Sequence, residues 1–160
     1  MIKQIQRFRN IAFMVIFVSV GLKAEMFEAG VDYEILPQVI RTADSSKIEI
    51  NEVFHYGCVH CYNFERAMKP WVEDLEDDVD FQRTPAIWHP SLEPYARAYF
   101  VGRSFNVLDK THVDLFEAIH VRKESIQSEN DIEKIFSKHR VDGEKFSKAY
   151  NSFGVNSQVN

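Results

Sequence analysis

The chain has 160 residues, of which 45% are hydrophobic and 13% aromatic. That is core material for one globular domain and excludes a disordered or collagen-like chain. With a formal charge of −5, it has no electrostatic footprint for nucleic acid or for an anionic membrane surface. It has two cysteines, three positions apart, which excludes a disulfide-stapled scaffold, because a bridge across so short a loop removes little chain entropy. Chemistry is the better reason for the pair.

Lys3, Arg7 and Arg9 precede an apolar run from Ile11 to Leu22, and Leu22-Lys23-Ala24 follows. Basic, apolar and small residues in that order predict a cleaved secretory signal over residues 1–24. An uncleaved anchor is the alternative, but the run falls short of the ~20 residues that span a bilayer and contains Ser19 and Gly21. No stable membrane insertion is therefore expected after cleavage. Residues 1–24 hold Lys3, Arg7, Arg9 and Lys23 and no acid, so their loss takes the formal charge from −5 to −9. A chain that acidic points to proteins or small molecules as partners.

Val31, Tyr33 and Ile35 alternate with polar residues and predict a short strand ending before Pro37. A stronger strand runs from Ile48 to Tyr56, and Gly57 breaks it. From Cys58 a helical stripe follows through Cys61, Phe64, Met68, Val72 and Leu75, with Pro70 inside it to kink or split the helix. Val79 to Thr84 predicts a third strand, ended by Pro85. Strand, helix and strand with such a crossover make a βαβ unit with parallel strands.

After His89 the period stays helical. Tyr95, Ala98, Tyr99 and Gly102 form one face, and Val113, Phe116 and Ile119–His120 form another. Ser128, with Asp131 three residues on, starts a helix carrying Ile132, Ile135 and Phe136. Asp142 caps a last one carrying Phe146, Ala149 and Tyr150. The expected organisation is an N-terminal α/β part over 25–88 and an all-helical block over 89–152 that packs on it, with 153–160 leading out of the block.

Cys58-Val59-His60-Cys61 lies where a strand meets a helix. Cysteines at i and i+3 in a first helical turn are close enough to bridge. Free N–H groups and the dipole at the helix start favour a thiolate at Cys58, while Cys61, one turn in, becomes the buried resolving thiol. A Cys-x-x-Cys in a βαβ context reads as a thioredoxin-like redox motif, the disulfide being Cys58–Cys61. His60, between the cysteines, can stabilise the Cys58 thiolate, against the alternative of an exposed histidine with no role. Glu52 shares a strand face with Ile48, Ile50, Phe54 and Tyr56. A carboxyl placed there either reaches solvent at an edge or, buried, exchanges a proton with a buried thiol. A zinc site has only His55 and His60 as nearby further ligands, and covalent haem needs His where Tyr62 stands, so neither metal nor organic cofactor is expected. His89, His112, His120 and His139 read as surface or packing residues.

Phe54-His55-Tyr56-Gly57-Cys58-Val59-His60-Cys61-Tyr62-Asn63-Phe64-Glu65 resembles the DsbA family of bacterial periplasmic disulfide oxidases. Phe27 to Tyr33, Phe116 to His120 and Tyr150 to Phe153 extend the likeness. The resemblance implies a thioredoxin-like α/β fold interrupted by a helical insertion. It implies transfer of disulfides to newly secreted, unfolded proteins with reduced cysteines, reoxidation by a DsbB-like membrane partner, and a periplasmic location. It makes Cys58 the nucleophile, Cys61 the resolving cysteine, His60 the thiolate-stabilising histidine and Glu52 the buried acid. Two departures stand out. Val59 replaces the usual proline, and the cis-proline loop, hairpin and closing helix that complete such folds are not found by Asn160, so the chain reads as truncated. Thr84-Pro85 lies before the insertion and is not taken as the cis-proline. The remaining alternatives are a reductase or isomerase of the same fold, and a catalytically idle fragment.

Overall fold

The structure is a computed structural model that describes residues 27–38 and 41–159; the predicted signal over 1–24 lies outside the described residues. These residues belong to two units divided between positions 40 and 41. In the first, the strand expected at 31–35 is replaced by a turn. Gly30 sits at φ 84, Ala29 and Tyr33 form a single bridge, and the Glu28 N–H donates to Asp32 Oδ2 at 2.8 Å. A glycine free to take positive φ and an aspartate that accepts locally favour a turn over an extended ladder.

The second unit begins with a two-stranded parallel sheet. β1 (Ile48–Phe54) pairs with β2 (Val79–Pro85) in a register that sets Ile50 beside Phe81, Glu52 beside Arg83 and Phe54 beside Pro85. These alternate positions make the inward face. The other face is polar apart from the exposed Val53, and there the Thr84 hydroxyl donates to Asn51 Oδ1 at 3.0 Å. The crossover is α1 (Val59–Glu73), with Cys58 as its N-cap. Pro70 does not split α1, because it falls in the last turn, where little helix remains for it to break.

The helical block consists of a 3-10 turn (Pro90–Leu92), α2 (Glu93–Ser104), α3 (Leu108–His120), α4 (Glu129–Lys138), α5 (Gly143–Tyr150) and α6 (Phe153–Val159). Local chemistry sets the starts of α4 and α5. Ser128 and Asp131 form a reciprocal capping box, and Asp142 accepts from the Lys145 N–H at 3.0 Å. α6 is not among the predicted elements; Ser152 accepts the Val155 N–H at its start and Val155 is buried. In α3 the predicted stripe is displaced. Val113 is exposed, whereas Thr111, His112, Leu115 and Phe116 face the core. Apolarity alone misplaces the face because a buried histidine lies on it.

One core serves sheet and helices. Phe54 and Tyr56, from the end of β1 and the turn after it, lie in the same buried cluster as Tyr99, Leu115, Phe116, Phe136 and Phe146. Phe116 touches Tyr56 (ring centroids 4.9 Å apart), His112 and Tyr62. The block thus packs on the strand that leads to the cysteines. Among the described residues no helix is long and apolar enough to cross a membrane. Phe116→Ala is expected to destabilise the fold by about 3–5 kcal/mol, read from urea unfolding, because it empties the centre of this cluster; a cost below about 1 kcal/mol would contradict a single shared core.

Candidate active site

β1 stops at Phe54, and the backbone turns through His55, Tyr56 and Gly57 into α1. The turn is tight. A Cβ at Gly57 would lie 2.5 Å from the His55 ring, so any larger residue here forces that ring to shift. The Cys58 N–H donates to the His55 carbonyl at 3.0 Å, and the Cys58 side chain then caps the helix, its Sγ accepting the Cys61 N–H at 3.4 Å.

Both cysteines are thiols here, and their surroundings push them apart. The Cys61 backbone N–H, then the Cys61 side chain and the His60 backbone N–H, hold the Cys58 thiol below the usual cysteine range. Burial pushes the Cys61 thiol up, with the nearby Cys58 and the Glu52 charge acting in the same direction and the His55 backbone N–H in the opposite one. One thiol is set up to ionise and its neighbour to stay protonated. The His60 side chain is exposed and forms no hydrogen bond among the described residues, while its backbone N–H is one of the groups that lower Cys58.

Glu52 lies on the inward face with its side chain only 11% exposed, and it is not alone. Arg83, across the parallel register, donates from Nε to Glu52 Oε2 at 2.7 Å and from Nη2 to Glu65 of α1 at 3.2 Å. Glu65 also meets His112 Nε2 at 3.3 Å, and His112 Nδ1 lies 2.9 Å from the Tyr56 hydroxyl. The tautomer with hydrogen on Nε2 satisfies both contacts, donating to Glu65 and accepting from Tyr56. Burial pushes the Glu65 carboxyl up, but the hydrogen bond from His112 and the Arg83 guanidinium together hold it below the usual carboxylate range.

The sequence reading identifies Glu52 and misses Arg83, Glu65 and His112. The signal for Arg83 was present, a charge at an inward position of the neighbouring strand. His112 and His120, read as surface or packing residues, are partners of Tyr56, and His120 Nε2 donates to the Tyr56 carbonyl at 2.7 Å. His55 packs against Trp88 and Tyr95, its buried Nε2 has no hydrogen-bond partner among the described residues, and burial and the His120 charge pull its pKa down. Among the described residues no group of three or more histidine, cysteine or acidic side chains is placed to hold a metal ion.

No family model matches the chain. It is 31% identical over 154 residues to the thiol:disulfide interchange protein DsbA of Burkholderia cepacia, a match covering 91% of this chain and 72% of that protein. The protein of the same name from Azotobacter vinelandii is 34% identical over 146 residues, with 88% and 68% covered. Among solved structures, DsbA of Pseudomonas aeruginosa aligns with TM-score 0.72 at 34% identity, over 78% of this chain and 65% of that one. The oxidoreductase DsbA of Xylella fastidiosa aligns with TM-score 0.67 at 27% identity, over 72% and 63%.

The opposed thiols predict selective chemistry. At neutral pH a limiting amount of iodoacetamide is expected to label Cys58 of the reduced chain well ahead of Cys61, read by peptide mass; equal labelling would contradict the assignment. The linkage sign follows from the lowered Cys58 value. Its stabilisation of the reduced fold is present above the ordinary cysteine range and is lost as pH falls through the folded-state value. The stability advantage of the reduced chain over Cys58→Ser is therefore expected to shrink on acidification, measured by urea unfolding at stepped pH.

Proposed function

Because the chain belongs to the DsbA family, we propose that Cys58 and Cys61 form its redox disulfide and donate it to newly secreted, unfolded proteins. Family membership makes the chain a protein-disulfide oxidoreductase with a thioredoxin-like fold and a helical insertion. The observation that carries the site assignment is the divergence of the two thiols at one helix N-terminus.

In the exchange, a substrate thiolate attacks Cys58 Sγ of the disulfide, and the bond to Cys61 breaks. Cys61 leaves as a thiolate and takes up a proton from solvent; Glu52, whose charge favours the protonated Cys61 and whose carboxylate is paired with Arg83, is the proposed relay for it. The substrate's second thiolate then attacks its own sulfur in the mixed disulfide and expels Cys58, which leaves as the stabilised thiolate. The substrate loses two electrons and becomes a disulfide; the chain gains them and becomes the dithiol. His60 borders the leaving thiolate and supplies a backbone donor to it. Val59 and Trp88 expose apolar surface, suited to an unfolded polypeptide. A cleaved signal over 1–24, a periplasmic location and reoxidation by a DsbB-like membrane partner complete the proposal.

The oxidised chain mixed with a reduced, unfolded dithiol protein is expected to transfer its disulfide promptly, and Cys58→Ser is expected to abolish transfer. A folded wild-type chain that transfers nothing would overturn the reading. Glu52→Gln is expected to slow exchange between pH 5 and 8 while leaving the circular dichroism unchanged; identical rates across that range would remove Glu52 from the mechanism.

A further inference from the structure

Tyr56 is the last residue before Gly57-Cys58, and α3 grips it at two points. Its hydroxyl lies 2.9 Å from His112 Nδ1, and its carbonyl accepts from His120 Nε2 at 2.7 Å. The residue is 1% exposed, and Phe54, Phe116 and the His112 ring enclose it. His112 is itself anchored on its far side by Glu65, one turn beyond Cys61 on α1. His120 is braced by Tyr62, the residue after Cys61, with the rings stacked 5.1 Å apart at 14°. Each histidine therefore joins the turn before the cysteines to the helix that carries them.

The residue beside this clamp touches both sulfur environments. His55, one step before Tyr56, accepts the Cys58 N–H on its carbonyl, and its own N–H acts on the Cys61 thiol. A shift of Tyr56 would carry both groups with it. It would also tilt the first turn of α1, whose N–H groups are the donors to Cys58.

We propose that His112 and His120 are positioning residues for thiol–disulfide exchange, clamping the Tyr56-Gly57 turn so that the first-turn N–H groups of α1 stay aimed at Cys58 Sγ. The inference rests on Cys58 being the exchanging thiolate. The clamp acts through the backbone and touches neither substrate nor sulfur. It differs from the Glu52–Arg83 pair in that its two histidines come from the helical block, and so the block has a part in the chemistry of the α/β site.

The test is the thiolate absorbance titration of Cys58 in the full reduced chain, with circular dichroism as the check on folding. His120→Leu is expected to raise the Cys58 midpoint by about half a unit and to slow its alkylation at a pH below the midpoint by about threefold. His120→Gln, which keeps a donor for the Tyr56 carbonyl, is expected to restore the wild-type midpoint. Tyr56→Phe, which removes only the hydroxyl, is expected to shift it in the same direction by less, and it decides the matter if His120→Leu does not fold. An unchanged midpoint in folded His120→Leu, or in Tyr56→Phe where the leucine variant does not fold, overturns the clamp alone. A wild-type Cys58 that titrates like an ordinary cysteine removes the site reading itself.

Discussion

Everything at the site follows from where α1 begins. Cys58 is the N-cap, so its sulfur takes the place that a serine or aspartate oxygen usually fills, and the orphan first-turn N–H groups point at it. An anion there is stabilised by donors that the fold must supply in any case. Three positions further, Cys61 has turned toward the core, where the same helix offers it burial instead. The asymmetry that exchange needs comes from one helical turn and from the direction in which that turn faces.

The helix start is in turn held by the inward face of the sheet. In the parallel register Glu52 and Arg83 are neighbours, and a slip of one residue would carry either charge to the polar face. Charges taken from water are costly unless paired and further hydrogen-bonded, and Arg83 meets this by serving two carboxylates, the second on α1. Glu65 completes its own shell with His112. Because a guanidinium does not give up its proton, Arg83 separates the two acids as proton carriers while joining them electrostatically. Glu52 is left as the acid whose charge is felt at Cys61.

The parts written in local chemistry were legible in the sequence. Cys-x-x-Cys after a strand and a glycine marks the redox turn, Ser128 with Asp131 marks a helix start, and alternation on either side of the crossover marks the parallel pair. What was not legible depends on partners distant in sequence. Val31 to Ile35 alternates like a strand, but alternation does not provide a partner, and Gly30 and Asp32 close a turn there instead. His112 reads as a surface or packing residue with no link to the site because its partners, Tyr56 and Glu65, are 56 and 47 residues away. Its burial also displaces the apolar face of α3 and exposes Val113. Arg83 stood at an inward position beside a suspected acid, and only the register turns that into a pair.

The same division bears on Val59. A proline at the first helical position costs nothing in hydrogen bonds, since its missing N–H would be an orphan anyway, and it stiffens the turn. The donors acting on the Cys58 sulfur belong to His60 and Cys61, beyond that position. Valine in its place therefore keeps those donors and gives up rigidity. In this chain the stiffness of the turn has other sources: Gly57 folded under the His55 ring, the Cys58 N–H fixed to the His55 carbonyl, and Tyr56 held at both its polar ends. The thiolate's stability is then a property of the strand-to-helix turn as a packed unit, with the two residues between the cysteines modulating it.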